Sequence, residues 1–196
     1  MSVDPPEAAD VVRIGHPLLR QTAAPVSDAV LGSAAFRDLV AVMRATLQGT
    51  GVGLAAPQIG VGLRVFVMED PAEWCEKDPQ RKEKGRNPFP FTVVVNPEWQ
   101  TLGDERAGFL EGCLSIPEFQ ARVPRYTKIE ARWLDQHGVQ QSEILEGWKA
   151  RIFQHEFDHL DGKLYVDYLE TRPAVSYPEV GKGVSAEFLS RLNRAR

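Results

Sequence analysis

Residues 154–159 read Gln-His-Glu-Phe-Asp-His, which sets His155, Glu156 and His159 in the pattern H-E-x-x-H. On an α-helix, positions i and i+4 share one face, about 6 Å apart along the axis. Two imidazoles so placed can reach one ion. Glu156 falls beside it, where a base for an activated water belongs. With four histidines in 196 residues, the pattern arises by chance in about one such chain in 150. It therefore favours a metal site over two solvated histidines on a polar helix face.

The third ligand sets the kind of site. One zinc-protease pattern continues H-E-x-x-H-x-x-G-x-x-H, and this chain follows it through Gly162 before reaching Tyr165 where the last His belongs. Glu170 and Glu179 are the nearest downstream carboxylates. They flank a stretch whose two prolines, Pro173 and Pro178, oppose a helix. Upstream, Glu111-Gly112-Cys113-Leu114-Ser115-Ile116-Pro117 offers a thiolate, the form in which cysteine binds metal. A lone cysteine is more often a small buried residue, but the two histidines need a third ligand and no other candidate is as well placed. A further segment, Gly51-Val52-Gly53-Leu54-Ala55-Ala56-Pro57-Gln58-Ile59-Gly60, surrounds one polar side chain with glycines and a proline. Read alone it is a helix-to-strand turn. It is also a shaped loop whose amides and Gln58 carboxamide could meet a ligand.

Together the three segments resemble the peptide deformylase family. Its hallmarks G-x-G-x-A-A-x-Q, E-G-C-x-S and Q-H-E-x-D-H stand here as Gly51 to Gln58, Glu111 to Ser115 and Gln154 to His159. The similarity runs from about His16 to Tyr168. The resemblance implies a metal-dependent amidohydrolase that removes the formyl group from the N-terminal formylmethionine of new polypeptides. It implies Cys113, His155 and His159 as metal ligands and Glu156 as the base. The Gln58 side chain and Leu114 backbone N–H become donors to the developing oxyanion, each such donor being worth about 2.7–4 kcal/mol. Val52, Phe109, Trp148, Arg151 and Ile152 are expected to line a methionine pocket, with Gly53, Glu111 and Gly112 along the substrate. The Arg151 stem would add apolar surface while its head reaches water.

Ligand type suits zinc, iron, cobalt and nickel about equally; the resemblance puts ferrous iron first. Glu111 and Asp158 are carboxylates able to orient an imidazole, although Asp158 reads equally well as a solvated helix residue. Many family members carry an arginine three residues past the proline, where this chain has Gln120; Arg122 and Arg125 are candidate replacements. Gly147-Trp148-Lys149-Ala150-Arg151-Ile152 looks more like the organellar branch than the typical bacterial enzyme, which is apolar there. Two readings compete with a deformylase. One is an H-E-x-x-H endopeptidase cutting internal peptide bonds; the other is a metal or interaction protein without turnover, whose expected mark, loss of Glu156 or Gln58, is absent.

Composition bounds the rest. With 43% hydrophobic residues, 196 residues suit one domain over 1–196 with a sizeable core. A net charge of −4 carries no general DNA or membrane footprint. Two cysteines, one claimed by the metal, fit a reducing compartment, and the acidic start resembles neither a secretory signal nor a transit peptide, so a cytoplasmic location is expected.

The elements that must position these residues follow from pattern. A tail over 1–10 and an extended lead-in (11–25) precede a helix from Ala34 to Gln48, capped by Ser33, with Phe36, Leu39, Val40, Met43 and Leu47 as its stripe. Leu63–Met68, Phe91–Val95, Thr127–Leu134 and Val139–Leu145 read as strands, the last two turned by Gly138. Residues 71–90, charged and proline-rich with Cys75 inside, read as an exposed inserted loop. Glu146 to Leu160 is the metal helix, stopped near Gly162. The fold class expected is α+β, with short antiparallel or mixed β-sheets packed around a central helix carrying the H-E-x-x-H motif. At the end of the chain, residues 185–196 read as a helix with Arg191, Arg194 and Arg196. They would suit ribosomal RNA phosphates, the ribosome being where formylated nascent peptides emerge, or else would sit in water while the leucines dock.

Overall fold

The computed structural model describes residues 7–169. The expected helix over 185–196, Glu170 and Glu179 lie outside them. Among the described residues, seven strands and five α-helices follow in the order α1 (Asp28–Leu31), α2 (Ala34–Leu47), β1 (Gly53–Ala55), β2 (Val65–Asp70), α3 (Ala72–Lys77), α4 (Arg81–Lys84), β3 (Phe89–Thr101), β4 (Arg106–Cys113), β5 (Ile116–Tyr126), β6 (Lys128–Leu134), β7 (Gln140–Glu146) and α5 (Gly147–Leu160). A five-stranded antiparallel sheet runs β1-β2-β3-β6-β7, and β4-β5 form a separate antiparallel pair.

The sheet separates two apolar layers. Side chains alternate along β2, so Val65 and Val67 join Phe36, Met43 and Leu47 of α2, while Phe66 and Met68 join Ile152, Phe153 and Leu160 of α5. A strand covered on both faces reads as a continuous apolar run, which is why Val65–Met68 was legible. α2 begins where Ser33 accepts a hydrogen bond from the Phe36 N–H at 3.1 Å, and the helix ends within a residue of its expected bounds. α5 crosses the opposite face of the sheet with nine buried residues, so the motif helix is the central helix of an α+β fold.

Three expectations need correction. β3 continues past Val95 to Thr101, through Pro97, because a bulge between Val95 and Glu98 turns the strand from β2 to β6. Asn96, at φ +48°, braces that bend by exchanging two 2.8 Å hydrogen bonds with the Val26 backbone. The β4–β5 pair was not anticipated. Its glycines and prolines (Gly108 opposite Pro124) break the strand pattern, and a two-stranded pair tolerates them because each strand has a free edge.

The third correction concerns residues 71–90, which are not a solvated loop. They form α3 and α4, held by Arg86, whose guanidinium pairs with Asp70 at 2.7 and 2.8 Å and with Asp78 at 2.9 Å. Lys84 also reaches Asp78 at 2.9 Å, and Cys75 is fully buried among them. Two of the charges that suggested solvation, Lys84 and Arg86, pair with carboxylates instead. The tail is likewise tied at its end, where the Ala9 N–H donates to the Thr46 hydroxyl at 2.8 Å.

Candidate metal centre and cleft

Three elements meet at the site. α5 presents His155 and His159 one turn apart, their ring centroids 5.2 Å apart. The end of β4 supplies Cys113, whose Sγ lies 3.3 Å from His159 Nε2. One ligand atom from each of the three residues lies within 4.8 Å of the others, a spacing that a single ion can bridge. The donor set passes a chemical test of fit as well. His155 Nδ1 is taken up by Glu111 Oε2 at 2.9 Å, which leaves Nε2 for the ion. Burial opposes an imidazolium at His155, but the bonds to Cys113 and Glu111 and the charge of Glu156 outweigh it and hold its pKa well above the ordinary histidine range. The surroundings therefore favour positive charge where an ion would stand. His159, by contrast, is pushed well below that range by burial first and by His155 next, and neutral imidazole is the ligating form.

Glu156 stands beside this cluster, 4% exposed, with Oε2 buried and unpaired among the described residues. Burial pushes its carboxyl up to about 7, against the pull of His155. A carboxyl with that affinity can both accept and return a proton near neutrality. The backbone of β1 lies directly against it: a Cβ on Gly53 would fall 2.2 Å from Glu156 Oε1.

Gln58 arrives from the short 3-10 turn after β1 (Ala56–Ile59). Its Oε1 accepts the Ala55 N–H at 2.8 Å, which fixes the amide and turns Nε2 toward Cys113 Sγ (3.4 Å) and Ser115 Oγ (3.2 Å). Leu114 sits in the turn between β4 and β5, next to Cys113. The lead-in straps both pieces: Val12 N–H donates to Gln58 O at 2.8 Å, Ile14 N–H to Ser115 O at 3.0 Å, and Arg13 to Leu114 O at 2.6 Å.

Beneath the Cys113, His155 and His159 cluster lies a buried ionic network. Glu111 accepts from Arg125 at 2.9 and 3.0 Å, from Arg151 at 2.5 Å and from His155. Burial alone would raise its pKa. The hydrogen bond to His155 and the charge of Arg125 instead hold it well below the usual carboxylate range. Arg125 also bonds Asp158, whose other oxygen accepts from the Tyr168 hydroxyl at 2.8 Å. Asp158 is thus a buried member of the network rather than a solvated helix carboxylate.

A cleft of about 920 Å³ opens over Cys113 and His155, lined also by Val52, Gly53, Gln58, Glu111, Gly112, Leu114, Trp148, Arg151, Ile152 and Glu156. Phe109, expected in the pocket, does not line it. It is buried with its ring 5.3 Å from the Arg151 guanidinium. The Arg151 head does not reach water, as it bonds Glu111, Val123 O and Ala107 O and is 3% exposed. Arg125 cannot stand in for the family arginine, being shut inside the network, and Arg122 is exposed outside the cleft, where Gln120 does line it. The far wall, which the sequence did not suggest, is residues 74–86. Trp74 and Lys84 face the cleft, and the Lys84 ammonium lies 4.8 Å from the Trp148 ring centre. One signal for Arg125 was available: it follows Ala121 and Val123 in the inward register of β5, an arginine at an apolar position.

Known proteins match this chain closely. A sequence model of the polypeptide deformylase family matches residues 8–174. Peptide deformylase 1 of Streptomyces coelicolor is 48% identical over 167 residues, covering 85% of this chain and 75% of the relative. A chloroplastic peptide deformylase 1A of Solanum lycopersicum is 39% identical, over 83% of this chain and 60% of the relative. Among solved structures, a Met-Ala-Ser-bound class I type b peptide deformylase from Acinetobacter baumannii superposes with a TM-score of 0.74 at 34% identity, over 86% of this chain and 100% of that one. Among the described residues no helix is long and apolar enough to cross a membrane.

Proposed function

From the premise that the chain belongs to the polypeptide deformylase family, we propose how its residues carry the reaction. The protein is a hydrolase that removes the N-formyl group of new polypeptides and releases formate. Cys113, His155 and His159 are the residues that would hold its metal ion. Bound there, an ion would supply Lewis acidity, making hydroxide available near neutral pH and polarising a carbonyl. Glu156 takes the proton from the attacking water and delivers it to the leaving amine, a role suited to a buried carboxyl poised near 7. Gln58 Nε2, aimed by the Ala55 contact, and the Leu114 N–H receive the negative charge that develops on the formyl oxygen. Trp148 and Ile152, with Val52 opposite, form the apolar wall for the methionine side chain.

Ferrous iron is the metal we put first, with zinc, nickel and cobalt as alternatives that the same Cys/His donors accept. A peptide such as the Met-Ala-Ser bound by the Acinetobacter enzyme would find room in the cleft beside Cys113 and His155. Nascent chains would place the enzyme's work at the ribosome in the cytoplasm, where a free cysteine such as Cys113 keeps its reduced form. The observation that carries the reading is the convergence of Cys113, His155 and His159, with Glu156 buried beside them in one cleft. Formate release from formyl-Met-Ala-Ser tests it. Turnover should require metal, stop with a chelator, and leave casein uncut. Casein cleavage without formate release would replace the reading with an endopeptidase.

A further inference from the structure

Arg151 occupies the position one helical turn before His155, on the same face of α5, and it lines the cleft as a methionine-pocket residue would. Its guanidinium, however, is engaged elsewhere through both terminal nitrogens. One nitrogen donates to Glu111 Oε1 at 2.5 Å and to Val123 O at 2.8 Å, and the other to Ala107 O. Ala107 and Glu111 belong to β4 and Val123 to β5, so a single side chain of α5 clamps both strands of the pair that ends in Cys113. The carboxylate it holds is the one that accepts from His155 Nδ1 at 2.9 Å. Two of the three ligands stand on α5 and the third on β4. The distance between those elements sets the distance between ligands.

We propose that Arg151 is a positioning residue for the metal centre: it locks α5 onto the β4–β5 pair and fixes Glu111 against His155, so that the histidines and Cys113 keep the spacing an ion needs. The inference rests on the deformylase reading only for its activity arm. Three features of the geometry support a clamp over a pocket wall. The head group is buried and its two terminal nitrogens meet three acceptors. Two of the acceptors are backbone carbonyls, which a substrate side chain cannot replace. A planar guanidinium alone offers donors in the fork that reaches a carboxylate and two carbonyls at once. Arg125 holds Glu111 from the other side but belongs to β5 itself, so it ties the carboxylate within the strand pair and reaches α5 through Asp158.

The test compares nickel-loaded wild type with Arg151→Met and Arg151→Lys. Metal loss into excess chelator is followed with a colorimetric indicator. kcat and KM are measured on formyl-Met-Ala-Ser and on its formyl-Leu analogue. A clamp predicts that Arg151→Met loses metal about 10–100-fold faster, the usual cost of removing a partner that orients a ligand. Its kcat should fall while KM and the preference for methionine over leucine stay within about twofold of wild type. Arg151→Lys, which can reach Glu111 but not all three acceptors, should fall between. Wild-type metal retention in either variant, with a raised KM or an altered side-chain preference, would overturn the clamp and make Arg151 a pocket wall. Should Arg151→Met fail to fold, Arg151→Lys decides by the same criteria. Metal release is read without turnover, so a wild-type protein that released no formate would sink the deformylase reading and leave the clamp standing or falling on its own.

Discussion

Gly53 in β1 has no room for a side chain. A Cβ there would lie 2.2 Å from Glu156 Oε1, 2.7 Å from its Cδ and 2.8 Å from its Cγ. Contacts to carbon normally begin near 3.5 Å, so Gly53→Ala requires the carboxylate to withdraw by about 1 Å. The strand cannot retreat instead, since Gly53 is registered against Met68 of β2 and the neighbouring Leu54 and Ala55 are fully buried. A catalytic group misplaced by about 1 Å costs on the order of 100-fold in rate, or about 2.7 kcal/mol of transition-state stabilisation. Overpacking adds a fold penalty of about 1–3 kcal/mol. Gly53 supplies no ligand, so the variant should purify with a full complement of metal. Formate release from formyl-Met-Ala-Ser would show the kcat loss, metal analysis the intact site, and urea unfolding the stability change. A folded, metal-replete Gly53→Ala enzyme within about threefold of wild-type kcat would refute the reasoning, because Glu156 could then act from a displaced position or would not be the base.

Other perturbations follow from the same geometry. Glu156→Gln should keep its metal and lose turnover. In chelator-stripped protein it should also remove a pH dependence. The Glu156 carboxyl takes its proton at about 7 when folded and near 4.5 when unfolded, so between those values the folded state binds the extra proton. Wild-type stability therefore falls as pH rises across that window, by about 3 kcal/mol relative to Glu156→Gln; parallel urea midpoints for the two proteins from pH 4 to 8 would contradict this. Cys113→Ala should lose metal and activity together, measured by metal content and formate release. Cys75→Ala, at a fully buried site, should keep both and lose about 1 kcal/mol of stability in denaturant melts. Gly147→Ala should destabilise the protein by 2 kcal/mol or more on the order expected for a strained, clashing backbone site. Its φ is +56°, and a Cβ would meet the carbonyls of Lys84 and Gly85 at 2.8 Å. An unchanged melting temperature would mean that residues 81–85 do not dock on the start of α5.

The chemistry of this protein was written in short segments whose spacing is local. The i, i+4 histidines sit on one helix face whatever surrounds them, and Ser33, the 3–4 stripe of α2 and the turn at Gly138 act within a few residues of themselves. Those features, with the Cys113, His155 and His159 that the fold brings together, were legible before any fold was known. What the sequence alone could not decide was which charges pair. Within 71–90 the folded chain brings Arg86 onto Asp70 and Asp78, which neither periodicity nor composition marks as partners, and the segment becomes a wall of the cleft. Arg151 looked like pocket lining because its neighbours in sequence are, yet its head is claimed by Glu111, forty residues away, and by two carbonyls of the β4–β5 pair. Strand breakers hid that pair from pattern reading, and only the tertiary structure brings it beneath α5. A buried charge must find its counter-charge wherever the chain places one, and that choice is made in three dimensions.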